Sequence, residues 1–258
     1  MGKDRRTTPL RRPCAAPHDC PRPMRLKVLS HARFFTGLGV AEIAAIEARM
    51  RVRGYAEGER IYHAGAHADH LFVLASGRVK LVRPTPDGQD VLVDIVTPGG
   101  LFGTLTTLGE PEFTDTAEAL TVACALSISA DDFRAVLHRH PSVALAVVDY
   151  LGHRLEETRQ ALRRLSGGTV EQRVAATLLT LADRLGEPRR GAVLLQLPLT
   201  RSDLAAMTGS TTESVSRAMS RLRKEGVIET GRRWTSIIDR DRLARLADAD
   251  ARPAKDRN

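Results

Sequence analysis

Residues Thr200–Glu229 read TRSDLAAMTGSTTESVSRAMSRLRKEGVIE. Two helical stretches flank Gly209. In the first, Thr200 stands as N-cap, Asp203 falls in the first turn and Gly209 marks the stop. The second starts at Ser210 or Thr211 and ends near Gly226. Two helices joined by a tight glycine turn make a helix-turn-helix. VIETGRRWTSII, at Val227–Ile238, follows as a hairpin with Gly231 in its turn. The expected unit is a winged helix.

The second helix carries its own chemistry. Val215, Met219 and Leu222 recur on one side and point to a core, which leaves Thr212, Glu213, Ser216 and Arg217 on the outward face. A helix laid in the major groove offers such residues to base edges. Arginine bonds guanine O6 and N7, glutamate accepts from cytosine N4, serine reads either, and a threonine methyl meets thymine. Arg221, Arg223 and Lys224 suit phosphates, which position without specifying. Thr200 and Arg201, at the start of the first helix, join the expected DNA-facing set. The role of Glu213 turns on the cap. With Ser210 as N-cap, Glu213 completes a capping box; with Thr211 as N-cap, it is free to point at DNA.

Working towards the N-terminus, Val174, Leu178, Leu181, Ala182 and Leu185 outline another amphipathic helix, and Ser166–Gly168 is a natural hinge. Before the hinge, a long helix runs from about Pro141 to Leu165. Leu151, Leu155, Thr158, Leu162 and Leu165 step alternately by four and three, and Ala144 and Val148 extend the row backward. Charged residues such as Arg154, Glu156 and Arg159 fill the flanks. So narrow and long a seam favours pairing of two copies in parallel, although a helix packed on its own domain has the same pattern.

Further upstream the texture is β. RVRGY, ERIYH, HLFVLAS, RVKLVR, VLVDIV, LFG and TVACALSI are short strand-type runs between residues 51 and 128, punctuated by Gly58, Gly65, Gly77, Pro86–Gly88 and Pro98–Gly100. They imply a small antiparallel roll that either encloses a ligand or has a solid core. A short helix over Val40–Met50 precedes it. The fold class is therefore α+β: an N-terminal antiparallel β-roll of jelly-roll type, a long dimerisation helix, and a C-terminal winged helix-turn-helix. The expected segments are 1–27, a basic, cysteine-containing flexible extension; 28–138, a sensory β-roll; 139–168, dimerisation helix and hinge; 169–248, DNA-binding domain; 249–258, a tail.

Composition agrees. The chain of 258 residues is 42% hydrophobic with a formal charge of +8, which favours a polyanionic partner. Residues 1–27 alone hold eight basic residues against Asp4 and Asp19. There is no apolar run of membrane-spanning length and no secretory h-region, and three cysteines make no disulfide framework, so a cytoplasmic setting is expected. No nucleophile–base set, P-loop or dinucleotide fingerprint stands out, and no enzyme is expected.

The Thr200–Glu229 stretch resembles the helix-turn-helix of the cyclic-AMP receptor protein and fumarate–nitrate reduction regulator (CRP/FNR) superfamily. The likeness covers the whole plan from about Leu29 to Leu246. It implies a homodimeric transcription regulator, bound to double-stranded DNA at a pseudo-palindrome and working with RNA polymerase. It also implies that Glu213 and Arg217 read each half-site. The run E-S-V-S-R at Glu213–Arg217 is similar to the FNR branch, whereas Thr212 is the usual residue of neither branch.

The cyclic-nucleotide-binding members carry a phosphate cassette of glycine, glutamate, a loop, and arginine before Ser/Thr-Ala. Here Gly103–Ala119 reads GTLTTLGEPEFTDTAEA. Gly103 fits, but Thr104 replaces the glutamate and Asp115, before Thr116, replaces the arginine that pairs with the cyclic phosphate. A carboxylate there repels the anion, so Gly103, Thr104, Asp115 and Thr116 outline an effector pocket that does not take cyclic AMP in the usual mode. The FNR branch instead holds an oxygen-labile [4Fe–4S] cluster on cysteines of an N-terminal extension and one late roll strand. By that resemblance Cys14, Cys20 and Cys124 are candidate ligands, with Asp19 or His18 as a fourth. Alignment on Ser127–Phe133 puts the family's core cysteine nearer Leu126, two residues on and on the same strand face as Cys124. The alternatives are a buried structural Cys124 with inert tail thiols, a Cys14–Cys20 redox switch, or a response to another small ligand, haem or nitric oxide. A cyclic-nucleotide-binding-like subunit acting on a partner protein is the rival of another class. His63, His67 and His70 form a further candidate metal group, or an exposed loop.

Overall fold

The computed structural model describes residues 19–84, 90–104, 111–166, 168–189 and 191–248. They fall into two units, divided between residues 166 and 168.

The first unit opens with helix α1 (Arg22–His31), a 3-10 turn (Arg33–Phe35) and α2 (Val40–Glu47). Eight strands follow: β1 (Arg51–Tyr55), β2 (Arg60–Tyr62), β3 (His70–Ser76), β4 (Val79–Pro84), β5 (Asp90–Val96), β6 (Leu101–Phe102), β7 (Thr116–Ala119) and β8 (Ala123–Ser129). They form two antiparallel sheets, ordered β1-β8-β3-β6 and β2-β7-β4-β5. Alternation sorts the side chains. Phe72 and Leu74 of β3, with Ala123 and Ala125 of β8, join Tyr62, Leu81, Val96 and Phe102 in a core shared by both sheets. The intervening residues Leu71, Val73, Ala75, Cys124, Leu126 and Ile128 join a second core with Leu29, Phe34, Phe35, Ile43 and Ile46. The sheet therefore packs on one face against the other sheet and on the other against the N-terminal helices. At Gly77, with φ of 82°, a Cβ would sit 2.3 Å from the Val122 carbonyl oxygen, so only glycine fits that turn.

Ser129 caps α3 (Ala130–Arg139) by accepting from the Asp132 N–H, and α4 (Pro141–Ser166) follows. Along α4, Leu145, Val148, Leu151 and Leu155 are exposed on the single chain. Full burial of such side chains is worth roughly 1.5–3 kcal/mol each, so the row is a strong candidate for self-association. The side chains of Leu162 and Leu165 lie outside the described residues. Thr158 is exposed and bonds its own helix, its hydroxyl donating to the Arg154 carbonyl.

The second unit holds α5 (Val170–Leu185), β9 (Glu187–Arg189), β10 (Ala192–Leu195), α6 (Arg201–Met207), α7 (Thr212–Lys224), β11 (Ile228–Gly231), β12 (Trp234–Ile237) and α8 (Arg240–Ala247). Helix α5 packs against α7 and α8. Val215, Met219 and Leu222 are fully buried, as their spacing predicts. The sheet runs β11-β12-β10-β9.

Several details differ from the sequence reading. Helix α1 claims residues 22–27, which were expected in a flexible extension, because Leu29 anchors it in the second core. Strand β7 lies in a polar-looking run and was not foreseen; its Ala117 and Ala119 are buried between strands. Helix α2 ends at Glu47, so Met50 lies beyond it. The wing turn falls at Arg232 and Arg233, with Arg233 at φ 68°, one step past Gly231. Gly231 is needed for another reason: a Cβ there would strike the Trp234 ring at 2.3 Å. The Pro86–Gly88 turn and the 249–258 tail lie outside the described residues.

Candidate nucleic-acid interface and sensor chemistry

The cap of α7 decides what Glu213 does. The Thr211 hydroxyl accepts from the Ser214 N–H at 3.2 Å, so Thr211 is the N-cap. Ser210 is engaged elsewhere: its hydroxyl donates to the Thr208 carbonyl at 3.1 Å and accepts from Arg173 at 3.0 Å. Glu213 is thereby released from any capping box. It stands exposed in the first turn and pairs with Arg217 at 2.6 Å across one turn of helix. Thr212, Glu213 and Arg217 are exposed together on α7, and Ser216 beside them is half-buried. This face presents one acceptor and one guanidinium fork, the pair needed to address a C·G step.

The flanking residues differ in availability. Arg221 is matched by Glu171 and Glu225, each at 3.1 Å, which raises its pKa. Its charge is thus shared with two carboxylates before any phosphate is met. Lys224 and Arg223 are exposed at the end of the same helix. The Arg201 guanidinium is lowered from its ordinary pKa by burial and then by Arg223 beside it. Two cations held close together gain from an anion, which suits a phosphate. Thr200 caps α6, its hydroxyl donating to the Asp203 carboxylate at 2.7 Å and accepting from the Asp203 N–H at 3.0 Å, so that hydroxyl is already spent.

Arg173 was not foreseen. Its guanidinium donates to the Thr208 carbonyl at 2.7 Å, the Gly168 carbonyl at 2.9 Å and the Ser210 hydroxyl. It ties the start of α5 to the turn between α6 and α7. Two segments distant in sequence, Gly168–Arg173 and Thr208–Ser210, meet there, and no local pattern announces that.

In the roll, the rings of Tyr62, Phe72, Phe102 and Phe113 fill the space beside the expected effector pocket. Tyr62 and Phe113 stack with centroids 3.9 Å apart. A Cβ on Gly103 would meet the His70 carbonyl and the Phe72 ring, both at 3.1 Å. Asp115 accepts from the Tyr62 hydroxyl at 3.0 Å, and Thr116 accepts from the Ala64 N–H at 3.0 Å. Burial raises the Asp115 carboxyl above its ordinary value; the Tyr62 bond and Arg83 pull it back, and Asp94 pushes it up further. Arg83 donates to the Thr114 carbonyl at 3.1 Å, and Arg154 of α4 pairs with Asp94 of β5. The structure thus brings Gly103, Asp115 and the aromatic rings together. Thr104 is the last residue described before the cassette loop 105–110, which lies outside the described residues.

Cys20 and Cys124 are both buried, each 1% exposed. The Cys20 N–H donates to the Cys124 sulfur at 3.2 Å, and the Cys20 sulfur lies 3.4 Å from the Ser76 hydroxyl. Burial, and then the Cys20 thiol beside it, raise the Cys124 thiol well above the ordinary thiol range. Cys20 is therefore not a tail thiol. Asp19 turns its carboxylate to the Gly54 N–H at 3.1 Å. Cys14 and His18 lie outside the described residues. Among the described residues, no three His, Cys, Asp or Glu side chains come together to hold a metal ion. His63 and His67 are exposed and His70 pairs with Asp69 at 2.6 Å, so these histidines form no such group, a correction to that candidate.

Two family models match the chain: a cyclic nucleotide-binding domain over residues 52–140 and a Crp-like helix-turn-helix domain over residues 172–246. A "CRP-like cAMP-activated global transcriptional regulator" of Mycobacterium tuberculosis is 30% identical over 221 residues, covering 86% of this chain and 99% of that relative. The "Fumarate and nitrate reduction regulatory protein" of Yersinia pestis is 23% identical, covering 74% of this chain and 76% of its own length. Among solved structures, FixK2 from Bradyrhizobium japonicum superposes with a TM-score of 0.68 at 25% identity, covering 76% of this chain and 96% of that one.

Proposed function

Because this chain belongs to the CRP/FNR superfamily of DNA-binding transcription regulators, we propose that it works as a homodimer whose two α7 helices read an inverted repeat. The observation that carries this is the Thr211 cap, which frees Glu213 to stand with Arg217 on an exposed helix face. The apolar row Leu145, Val148, Leu151 and Leu155 on α4 supplies the self-pairing surface. Two recognition helices about 34 Å apart then meet successive major grooves on one side of the duplex. The protein acts in the cytoplasm with RNA polymerase and carries out no catalysis of its own; no described helix is long and apolar enough to cross a membrane.

Binding-site selection from random duplexes tests this reading. Enrichment of an inverted repeat with half-sites one helical turn apart is expected. Recovery of sequences without symmetry would overturn it.

The signal is read by a roll that does not take cyclic AMP in the usual way. Support comes from Asp115, which stands where a cyclic phosphate needs a cation and is engaged by Tyr62. Unchanged operator affinity on adding cyclic AMP is the expected result; a saturable rise would refute it.

Redox sensing through the cysteines is the reading favoured for the signal itself, on the meeting of Cys20 with Cys124. In its iron–sulfur form, a [4Fe–4S] cluster would use Cys14, Cys20 and Cys124, with Asp19 or His18 as the fourth ligand. Among the described residues only two of those donors stand together, and Asp19 is spent on Gly54. The described donor set therefore falls short of a four-ligand site, and no step is derived through a cluster. Iron and sulfide assays after anaerobic reconstitution decide it: bound iron with visible absorption supports the cluster, and colourless, iron-free protein removes it.

A further inference from the structure

The two thiols that meet come from very different parts of the chain. Cys124 lies in β8, which is paired on both sides, by β1 and by β3. It cannot leave the sheet without breaking two ladders. Cys20 lies outside any strand, two residues before α1. Its backbone N–H rests on the Cys124 sulfur and its own sulfur on Ser76, which β3 supplies from the neighbouring position. One partner is fixed by two ladders, and the other belongs to no helix or strand.

We propose that Cys20 and Cys124 form a reversible dithiol–disulfide couple that takes a low-molecular-weight disulfide as its oxidant. The step balances in two exchanges. Release of the Asp19–Gly54 and Cys20–Cys124 contacts lets Asp19–Pro21 lift and exposes Cys20, whose thiolate attacks one sulfur of R–S–S–R; a Cys20–S–S–R bond forms, and R–S⁻ leaves and takes the proton that Cys20 gave up. The segment returns, and the Cys124 sulfur attacks the Cys20 sulfur. The Cys20–Cys124 bond forms, a second R–S⁻ leaves, and it takes the Cys124 proton. The sum is two protein thiols and one disulfide in, one protein disulfide and two small thiols out. The division of labour follows from the fold: Cys20 is the attacked and moving residue, and Cys124 is the resolving one. Burial of both sulfurs makes the exchange slow until the segment opens. This goes beyond thiol sensing by way of iron, because it needs neither Cys14 nor a metal.

The full-length Cys14→Ser variant, made iron-free, is the material for the test. The substitution is needed because no Lys or Arg lies between Cys14 and Cys20, so trypsin leaves both in one peptide. The protein is incubated with oxidised glutathione, quenched by alkylation under denaturing conditions, and mapped by mass spectrometry. The expected result is a cross-link between the Cys20 and Cys124 peptides, with loss of two hydrogens, reversed by dithiothreitol. The Cys14→Ser, Cys124→Ala double variant should stop at a stable glutathione adduct on Cys20. A stable adduct without cross-link in Cys14→Ser, or two alkylatable thiols after prolonged incubation, would overturn the proposal. Iron content of the anaerobically reconstituted wild type, measured separately, tests the cluster, so the two readings fail independently. Selected-site binding by reduced protein tests the DNA reading apart from both.

Discussion

Replacing Arg217 separates recognition from stability. The Glu213–Arg217 pair has 78% and 69% of its side-chain surface exposed. Exposed pairs one helical turn apart contribute about 0.3–0.5 kcal/mol at most, so Arg217→Ala should lower the melting temperature by no more than about 4 °C. The loss on DNA is of another size. A bidentate arginine–guanine contact discriminates by about 1–3 kcal/mol, and a dimer makes it twice. The expected penalty is about 2–6 kcal/mol, or roughly 30-fold to 20,000-fold in affinity for the selected operator. Fluorescence anisotropy at one fixed salt concentration reads it, with a scrambled duplex as reference, because phosphate contacts respond steeply to salt. The scrambled duplex should lose little. Equal losses on both duplexes would make Arg217 a phosphate contact; undiminished operator affinity would remove it from the interface. A melting shift well beyond 4 °C would mean the side chain holds the fold. Arg221→Ala is the control: with two carboxylates already on it, it should weaken both duplexes slightly and alike.

Other perturbations follow from the same geometry. Leu151→Glu with Leu155→Glu should leave the chain folded but monomeric by sedimentation, and a variant that still sediments as a dimer would place the interface elsewhere. The folded state of Asp115 holds its proton above the ordinary carboxylate value of 3.8. Its favourable contribution is therefore present at low pH and lost as pH rises through the folded value. Asp115→Asn, which can still accept from Tyr62, should melt no lower than wild type at neutral pH and show a flatter pH profile above pH 4; coincident profiles would refute this. Thr211→Ala should cost about 1 kcal/mol by loss of the α7 cap, seen in urea melts, and no change would return the capping role to Ser210. If the Cys20–Cys124 bond forms, it closes a span of 104 residues. Chain entropy then allows up to about 4–5 kcal/mol of stabilisation, and oxidised protein should melt above reduced protein.

How much of this was legible in the sequence depends on range. Helices α6 and α7 were written in local chemistry: a capping threonine, an acid in the first turn, a glycine stop and apolar spacing. They appear where that chemistry puts them. The choice between Ser210 and Thr211 as cap was not local, because Arg173, 37 residues away, claims Ser210. Strand β7 escaped notice since Thr116–Ala119 has no β-branched run; its alanines are held by neighbours on either side. The placement of Cys20 depends on a contact across 104 residues and on α1 docking through Leu29. Residue type alone showed that the cassette lacks its arginine, whereas the stacked rings that crowd the same region come from segments far apart in sequence and meet only in the fold.

Arg173 has one more consequence. Its single guanidinium binds two carbonyls and a hydroxyl on Gly168, Thr208 and Ser210, all within the unit that begins at Gly168. The alignment of the recognition helix is thus kept by contacts internal to that unit. Such a reading head is portable. Descent can splice it behind a different sensor, or an engineer can, with Gly168 as the joint and no residue of the roll carried along.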